Sequence, residues 1–232
     1  MRDGGSAPRP PGSLFPMSAS GTYPPKLVRK REIRAEAVGE GAWVIRGVLS
    51  PREARLMEEA ADMNGYERAT SRGPKHGEAL RDHGRLVVDD PTTAHALWAD
   101  TGLDQAVLAA VGSIDGRKPS GLNPSLRVYR YAKGEVFGAH FDDASDTPLG
   151  RTELTFLCYL TGAGDGEDGE RLVGGETAFY KGAHDGAREL FRVAPEVGAA
   201  LVFRHGAKCV PHASLAVTRG KKVVLRSDVA YR

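Results

Sequence analysis

Residues 125–142 read SLRVYRYAKGEVFGAHFD and contain two runs of β-branched and aromatic residues on either side of Lys133-Gly134. Such runs bounded by a glycine are typical of strands, so we expect strands at Leu126–Tyr131 and Val136–Asp142. Because side chains alternate between the two faces of a strand, His140 and Asp142 should share one face. The stretch therefore predicts β structure that carries an imidazole next to a carboxylate.

Further runs of the same kind continue to the C-terminus, with no helical pattern between them. They are Glu153–Thr161, Glu176–Tyr180, Glu189–Val193, Ala199–Arg204 and Val223–Val229. Seven short strands at this spacing indicate an antiparallel sandwich or barrel and not a parallel α/β sheet.

Upstream of residue 125 the pattern is mainly helical. Ala42–Val48 reads as a short strand, after which Ser50 and Glu53 form a capping box at the start of a helix that should end before Gly65. Pro91–Val111 has apolar residues at helical spacing. We therefore predict an α+β fold, mainly β, with helices first and a β core after them.

The composition suits one globular domain with an N-terminal extension. The chain has 232 residues, 41% of them hydrophobic, and 32 Lys+Arg against 30 Asp+Glu leave a net charge of only +2. Residues 1–25 are rich in proline and are predicted to be a disordered leader that does not pack on the body. Residues 26–41 form a basic linker, which we interpret as a solvated segment. The alternatives are a nucleic-acid patch and a targeting signal.

Cysteine usage and hydropathy bear on the compartment. Cys158 and Cys209 fit no zinc spacing and are too few for a disulfide framework, which favours a reducing environment. No run approaches 18 consecutive apolar residues, so no membrane partner is expected. We predict a cytoplasmic protein, while the basic segment is also compatible with organelle or nuclear targeting.

His140, Asp142 and His212 are the candidate metal ligands. Two imidazoles and one carboxylate on one face of a metal form the facial triad of non-haem Fe(II) oxygenases. An isolated H-x-D pair is a weak signal. The other histidines in question, His184 and His205, are interpreted as loop or surface residues.

The H-x-D pair becomes more specific when it is considered with the motifs around it. In the order and spacing of these motifs, the chain resembles the prolyl 4-hydroxylase-like branch of the Fe(II)/2-oxoglutarate dioxygenases. The resemblance covers residues 125–232 well and residues 42–111 weakly. It is carried by Tyr131-Ala132-Lys133-Gly134, His140-Phe141-Asp142, Thr155–Leu160, Gly174-Gly175-Glu176-Thr177, Val197-Gly198, His212 and Gly220-Lys221-Lys222. It implies a double-stranded β-helix, or jelly-roll, over 125–232 with helical support over 42–124, together forming one dioxygenase domain over 42–232.

The resemblance also implies the cofactors. His140, Asp142 and His212 would hold Fe(II), with 2-oxoglutarate and O₂ as co-substrates and ascorbate as reductant. The co-substrate's distal carboxylate would be bound by Lys222, ten residues after the distal histidine.

Other residues of the co-substrate pocket are less determined. The resemblance places Tyr131 and Tyr159 in the pocket and makes Thr177 a lesser candidate, although both tyrosines also suit a plain core position. The family's Trp after the lysine is Val223 here, and Arg226 is a second basic candidate on the same strand face. Arg81-Asp82-His83-Gly84-Arg85 either borders the substrate groove, as a similar segment does in relatives, or is a charged turn.

The predicted function is oxidative decarboxylation of 2-oxoglutarate to succinate and CO₂, coupled to hydroxylation of a C–H bond. The family resemblance favours a protein or peptide substrate, as in prolyl hydroxylases. One alternative keeps the chemistry but acts on a small metabolite or a nucleobase, although nucleic acid is not the expected partner. The other alternative is a jelly-roll binding module without turnover.

Overall fold

A computed structural model describes residues 12–15, 26–71, 73, 75, 78–163, 171–184 and 186–232. The helices are α1 Pro51–Asn64, α2 Pro91–His95, which continues into a π-helical turn Ala96–Asp100, and α3 Leu103–Val111, with a 3₁₀ turn at Gly206–Lys208. The strands are β1 Arg34–Gly39, β2 Ala42–Arg46, β3 Glu67–Thr70, β4 Arg81–Asp89, β5 Pro119–Leu122, β6 Ser125–Tyr131, β7 Val136–His140, β8 Asp146–Thr147, β9 Gly150–Tyr159, β10 Val173–Gly174, β11 Thr177–Tyr180, β12 Glu189–Val193, β13 Ala200–Arg204, β14 His212–Ser214, β15 Val217–Arg219 and β16 Lys222–Tyr231.

The main sheet has the strand order β1-β2-β13-β9-β16-β6-β4-β7-β14-β11-β12, and all of its named pairs are antiparallel. Its two ends meet, because a Cβ on Gly39 of β1 would stand 2.2 Å from the Phe191 ring of β12. A glycine is therefore required where the sheet closes on itself. The result is the mainly β, jelly-roll architecture that the sequence predicted.

The central strands are buried on both faces, which divides the core into two layers. In β9, Phe156 and Cys158 face the layer under the helices, while Tyr159 faces the inside of the jelly-roll. In β16, Val223 faces the layer under the helices and Val224 faces the inside of the jelly-roll. This alternation follows from the two-residue period of a strand. It determines which residues of each strand reach the interior.

Helix α1 supports the sheet from outside. Its first turn is held by the predicted capping box, in which Ser50 Oγ accepts from the Glu53 N–H and the Glu53 carboxylate accepts from the Ser50 N–H. Met57 is fully buried in the layer beneath the helix. Each of the seven predicted strands after residue 124 overlaps an observed strand, and the predicted helical regions match α1 and the α2–α3 segment.

Two features of the N-terminal half differ from the sequence-based expectations. β1 lies inside the predicted linker 26–41, and the predicted strand at 42–48 is its hairpin partner β2. Within the predicted leader 1–25, the structure describes only residues 12–15, where Leu14 and Phe15 are buried in the main core. The Leu14 N–H donates to Asp90 Oδ2 at 2.8 Å. These four residues pack on the body against expectation, and the rest of that prediction falls outside the described residues.

In the described ranges, no helix is both long enough and apolar enough to cross a lipid bilayer.

Candidate active site

Two histidines face each other across neighbouring strands inside the jelly-roll. His140 ends β7 and His212 begins β14, and the two residues are register partners with ring centroids 4.4 Å apart. Each Nδ1 lies within hydrogen-bond distance of a backbone carbonyl, that of Gly138 at 2.9 Å for His140 and that of Val210 at 3.1 Å for His212. An Nδ1–H donated to a carbonyl leaves Nε2 as a lone-pair donor. Both histidines are therefore oriented to offer Nε2 to one centre.

Asp142 completes the cluster from just beyond the end of β7. Its Oδ1 lies 3.5 Å from His140 Nε2, and its Oδ2 lies 3.3 Å from His212 Nε2. One ligand atom from each of the three residues lies within 4.8 Å of the others. The sequence predicted that Asp142 would share a strand face with His140, but β7 ends at His140. Tertiary contacts, and not strand alternation alone, therefore direct the carboxylate inward.

Those contacts come from three other parts of the chain. Thr155 Oγ1 donates to Asp142 Oδ2 at 2.8 Å, Arg226 Nη2 lies 2.9 Å from Oδ1, and the Asp142 N–H donates to Cys209 Sγ at 3.2 Å. Burial alone would raise the pKa of Asp142, but the Arg226 guanidinium and the two imidazoles outweigh it, so the pKa lies well below its usual value. Burial lowers the pKa of His140. An ionised carboxylate beside two imidazole nitrogens suits a divalent metal ion.

Deeper in the interior, a second group of polar residues surrounds Lys222. The side chain is fully buried, and Nζ donates to Ser214 Oγ at 2.8 Å. Nζ also lies 5.2 Å from the ring centroid of Tyr131 and 5.7 Å from that of Tyr159. No carboxylate lies within salt-bridge distance of Lys222 among the described residues. Burial lowers its pKa to about 7, as expected for an ammonium without a counter-ion.

Thr177 lines a cavity together with Lys222, and its Oγ1 lies 2.9 Å from the hydroxyl of Tyr159. The cavity is lined by residues of both groups, among them His140, His212 and Lys222. The candidate metal ligands and the buried lysine thus share one cavity. The fold therefore brings six predicted site residues close together: His140, Asp142, His212, Tyr131, Tyr159 and Lys222.

Arg226 occupies a different position from Lys222, although both belong to the interior face of β16. It is buried between two carboxylates, 2.9 Å from Asp142 Oδ1 and 3.7 Å from Asp228 Oδ1. Burial lowers the pKa of Arg226, but Asp142 and Asp228 reverse this, and the guanidinium stays charged. The two predicted cations therefore differ in that Arg226 already has counter-ions.

An open groove leads from the cluster to solvent and encloses about 570 Å³. Arg81, His83 and Arg85 of β4 line it, so the segment 81–85 is a strand and not a charged turn. Phe141, between the two ligands of the H-x-D pair, also lines the groove and is 54% exposed.

Sequence reasoning missed several supporting residues. His205 lies between β13 and the 3₁₀ turn, as a loop residue would, but it is buried and not at the surface, and its Nδ1 lies 3.1 Å from Thr155 Oγ1, the hydroxyl that holds Asp142. His184 is exposed, as predicted. Thr155 belongs to a quoted motif but had no assigned role, and Ser214, two residues after His212, follows strand parity toward the interior. No local pattern distinguishes these residues from ordinary core positions.

With this geometry, comparison with known proteins becomes informative. Residues 126–227 match the model of the 2OG-Fe(II) oxygenase superfamily, which covers both the H-x-D pair and the distal histidine. The part of the chain that carries all three candidate metal ligands is therefore similar to this superfamily. A comparison with curated proteins found no significant match.

Solved structures with a similar fold include prolyl hydroxylases. The viral collagen prolyl hydroxylase of Paramecium Bursaria Chlorella virus-1, in its 2OG complex, is 21% identical with a TM-score of 0.57, covering 82% of this chain and 96% of that chain. A Pseudomonas putida prolyl-4-hydroxylase is 20% identical with a TM-score of 0.53, covering 83% and 93%. A Trichoplax adhaerens prolyl hydroxylase, in complex with a hypoxia inducible factor peptide fragment, is 14% identical with a TM-score of 0.53, covering 82% and 83%.

Enzymes of this superfamily use Fe(II), 2-oxoglutarate and O₂. The donor set fits these requirements, since two imidazole nitrogens and one carboxylate oxygen converge while a buried cation lies in the same cavity.

Proposed function

We propose that this oxygenase hydroxylates a C–H bond of a peptide or protein substrate, in the manner of a prolyl hydroxylase. The observation that carries the proposal is the shared cavity, in which three converging metal-ligand atoms lie beside a buried lysine that has no carboxylate partner. An unpaired buried ammonium is costly to a protein unless a ligand supplies the counter-charge.

In this proposal, His140 Nε2, Asp142 and His212 Nε2 hold Fe(II). When bound, the iron would activate O₂ at the expense of 2-oxoglutarate, which yields succinate, CO₂ and a hydroxylated product. Thr155 and Arg226 keep the Asp142 carboxylate oriented and ionised before metal arrives. The backbone carbonyls of Gly138 and Val210 keep each imidazole in the tautomer that exposes Nε2.

Lys222 is the proposed partner of the distal 2-oxoglutarate carboxylate. Arg226, the other predicted candidate, is already paired with Asp142 and Asp228, so a third carboxylate would compete with both. Around its ammonium, Lys222 has the Ser214 hydroxyl and two aromatic rings, and no carboxylate of the described residues lies within salt-bridge distance, Glu176 acting only from farther away. Tyr131, Tyr159 and Thr177 would enclose the co-substrate and exclude water from the charge pair.

A peptide substrate is favoured by the shape of the site and by the relatives. The open groove is lined by His140 and Asp142, and exposed Phe141 offers an apolar contact beside them. A neighbour of the same fold is described as bound to a peptide fragment, and others are named prolyl hydroxylases. Ascorbate would serve as reductant, as the family resemblance implies.

The proposal is tested by Fe(II) binding after anaerobic reconstitution and by succinate formation from 2-oxoglutarate with proline-containing peptides. His140→Ala, Asp142→Ala and His212→Ala should each abolish iron-dependent succinate formation and leave the circular dichroism spectrum unchanged. His95→Ala, an exposed histidine on α2, is the matched control. An Asp142→Ala protein with wild-type turnover would refute the iron assignment. Turnover that only metabolites or nucleobases stimulate would refute the peptide assignment alone.

A further inference from the structure

The charged residues of the open groove are unevenly distributed. Outside the Arg226–Asp142 pair, its charged lining residues are Arg81, Arg85 and Arg127 against Glu78 and Asp143. Arg81 sits at the β7 end of the groove, with its guanidinium carbon 5.0 Å from the centroid of the Phe137 ring. Arg85 and Arg127 are farther along, on the floor formed by β4 and β6.

Strand register brings the cations of this floor together. Arg127 of β6 is directly opposite Arg226 of β16, and Arg85 of β4 is directly opposite Tyr129, two residues from Arg127 on the same face. Residues directly opposite each other or diagonal to each other on one face are within side-chain reach. Three neighbouring strands thus each direct an arginine into the same end of the groove.

The available counter-charges do not balance this cluster. Asp142 and Asp228 neutralise Arg226, and Asp228 Oδ2 is also the nearest carboxylate of Arg127, at 3.5 Å. Within the described residues, no ion pair involves Arg85, which is exposed to the groove. Like charges placed side by side on a sheet are destabilising unless something compensates them. Arg85 and Arg127 therefore form a site with unused positive charge.

A buried ring nearby has one nitrogen without a hydrogen bond among the described residues. His83, between Arg81 and Arg85 on β4, is 1% exposed and lines the groove, and its Nδ1 has no hydrogen-bond partner. Burial lowers its pKa to about 4, so the ring is neutral at physiological pH. An unpaired buried nitrogen is expected to be satisfied by a ligand group or water.

From these contacts we propose that Arg85 and Arg127 bind an acidic side chain of the substrate, so that the enzyme selects peptides with Asp or Glu close to the hydroxylated residue. The inference deepens the proposed function and rests on it for the peptide substrate. An acidic side chain is a better match than a nucleic-acid backbone, because Glu78 and Asp143 in the same groove would repel a continuous row of phosphates.

The sheet geometry also limits where the acid should lie. Two strand spacings separate β16, which carries Arg226, from β4, which carries Arg85, a distance of about 10 Å. An extended peptide covers that distance in about three residues. We therefore expect the acidic residue within about three positions of the hydroxylated one.

The experiment uses fluorescein-labelled peptides with a single proline in a Gly/Ser background and either Glu or Lys at one to four positions on each side. Binding is measured by fluorescence anisotropy on the anaerobic full-length protein with Fe(II) and 2-oxoglutarate, at low ionic strength because salt screens exposed charges. The wild type should bind the best Glu peptide about tenfold or more tightly than its Lys counterpart. Arg85→Glu should reverse this preference, and Arg127→Gln should weaken it.

Arg52→Glu, an exposed arginine on α1 outside the groove, is the charge-matched control and should leave the preference unchanged. Equal binding of Glu and Lys peptides, no binding of either, or an Arg85→Glu effect equal to that of Arg52→Glu would overturn the inference. So would tighter binding of a single-stranded oligonucleotide of equal charge.

The two proposals fail separately in this design. Charge-selective binding without succinate formation would contradict the proposed function and leave the acidic site supported. Peptide hydroxylation that ignores flanking charge would support the function and remove the acidic site.

Discussion

Replacing Lys222 by Met should make the ligand-free protein more stable while weakening its binding of 2-oxoglutarate. The change keeps the side-chain volume roughly constant and removes a fully buried ammonium whose pKa burial has lowered to about 7. An unfolded lysine has a pKa of about 10.4, and each pKa unit corresponds to about 1.4 kcal/mol, so folding at pH 7 costs on the order of 4 kcal/mol at this site. Loss of the hydrogen bond to Ser214 removes about 1 kcal/mol from that gain.

The net stabilisation of ligand-free Lys222→Met is therefore about 2–3 kcal/mol, which corresponds to a rise in Tm of roughly 5–10 °C for a chain of this size. Loss of a buried charge pair with the co-substrate costs about 2–5 kcal/mol of binding, or about 30-fold to about 4000-fold in Kd. The assay is thermal unfolding of the metal-loaded protein with and without 2-oxoglutarate, combined with calorimetric titration.

Lys221→Met is the matched control, because Lys221 is half-exposed and pairs with Glu58 at 2.6 Å on the other side of β16. Lys221→Met should change neither the free energy of unfolding nor the free energy of 2-oxoglutarate binding by more than about 1 kcal/mol. A Lys222→Met protein that melts at or below the wild-type Tm, or that binds 2-oxoglutarate with unchanged affinity, would refute the reasoning. Arg226→Met should do the opposite and destabilise the protein by about 3–5 kcal/mol, since it leaves Asp142 buried without its counter-ion.

Three further outcomes are expected. The apparent KM for 2-oxoglutarate should be constant below pH 7 and rise up to about tenfold per pH unit above it, because the lowered pKa of Lys222 means that the ammonium loses its proton there. Lys222→Arg should make the KM independent of pH over this range. A wild-type KM that does not change with pH would contradict the prediction. Thr155→Val removes the hydroxyl that donates to Asp142 and should lower Fe(II) affinity about 10–100-fold in a metal titration, whereas an unchanged affinity would rule out this supporting role. Leu14→Ala should lower the free energy of unfolding by about 2–5 kcal/mol in urea denaturation, and deletion of residues 1–25 by at least as much; a deletion without effect would mean that Leu14 does not pack on the body.

Much of the secondary structure could be read from local patterns. The Ser50–Glu53 capping box marks the start of α1, and runs of β-branched and aromatic residues mark β9 and β16. These signals are local because a cap or a strand face depends on residues a few positions apart. β4 was missed for the same reason: Arg81, His83 and Arg85 make its groove-facing side polar, so it lacks the apolar alternation of a half-buried strand.

The candidate ligand set could also be named from the sequence, because H-x-D and the distal histidine keep a recognisable order along residues 126–227. Their convergence could not be derived in the same way. Asp142 lies beyond the end of β7, and it points inward because Thr155 and Arg226, which are distant in sequence, hold its carboxylate.

The difference between Lys222 and Arg226 was likewise a matter of tertiary structure. Strand parity assigns both to the interior face of β16, and the sequence left both as candidates for the co-substrate carboxylate. The fold brings Asp142 and Asp228 into ion-pair contact with Arg226, whereas it places a hydroxyl and aromatic rings next to Lys222. Periodicity specifies the direction of a side chain, whereas its counter-ions come from segments that only the closed jelly-roll brings into contact.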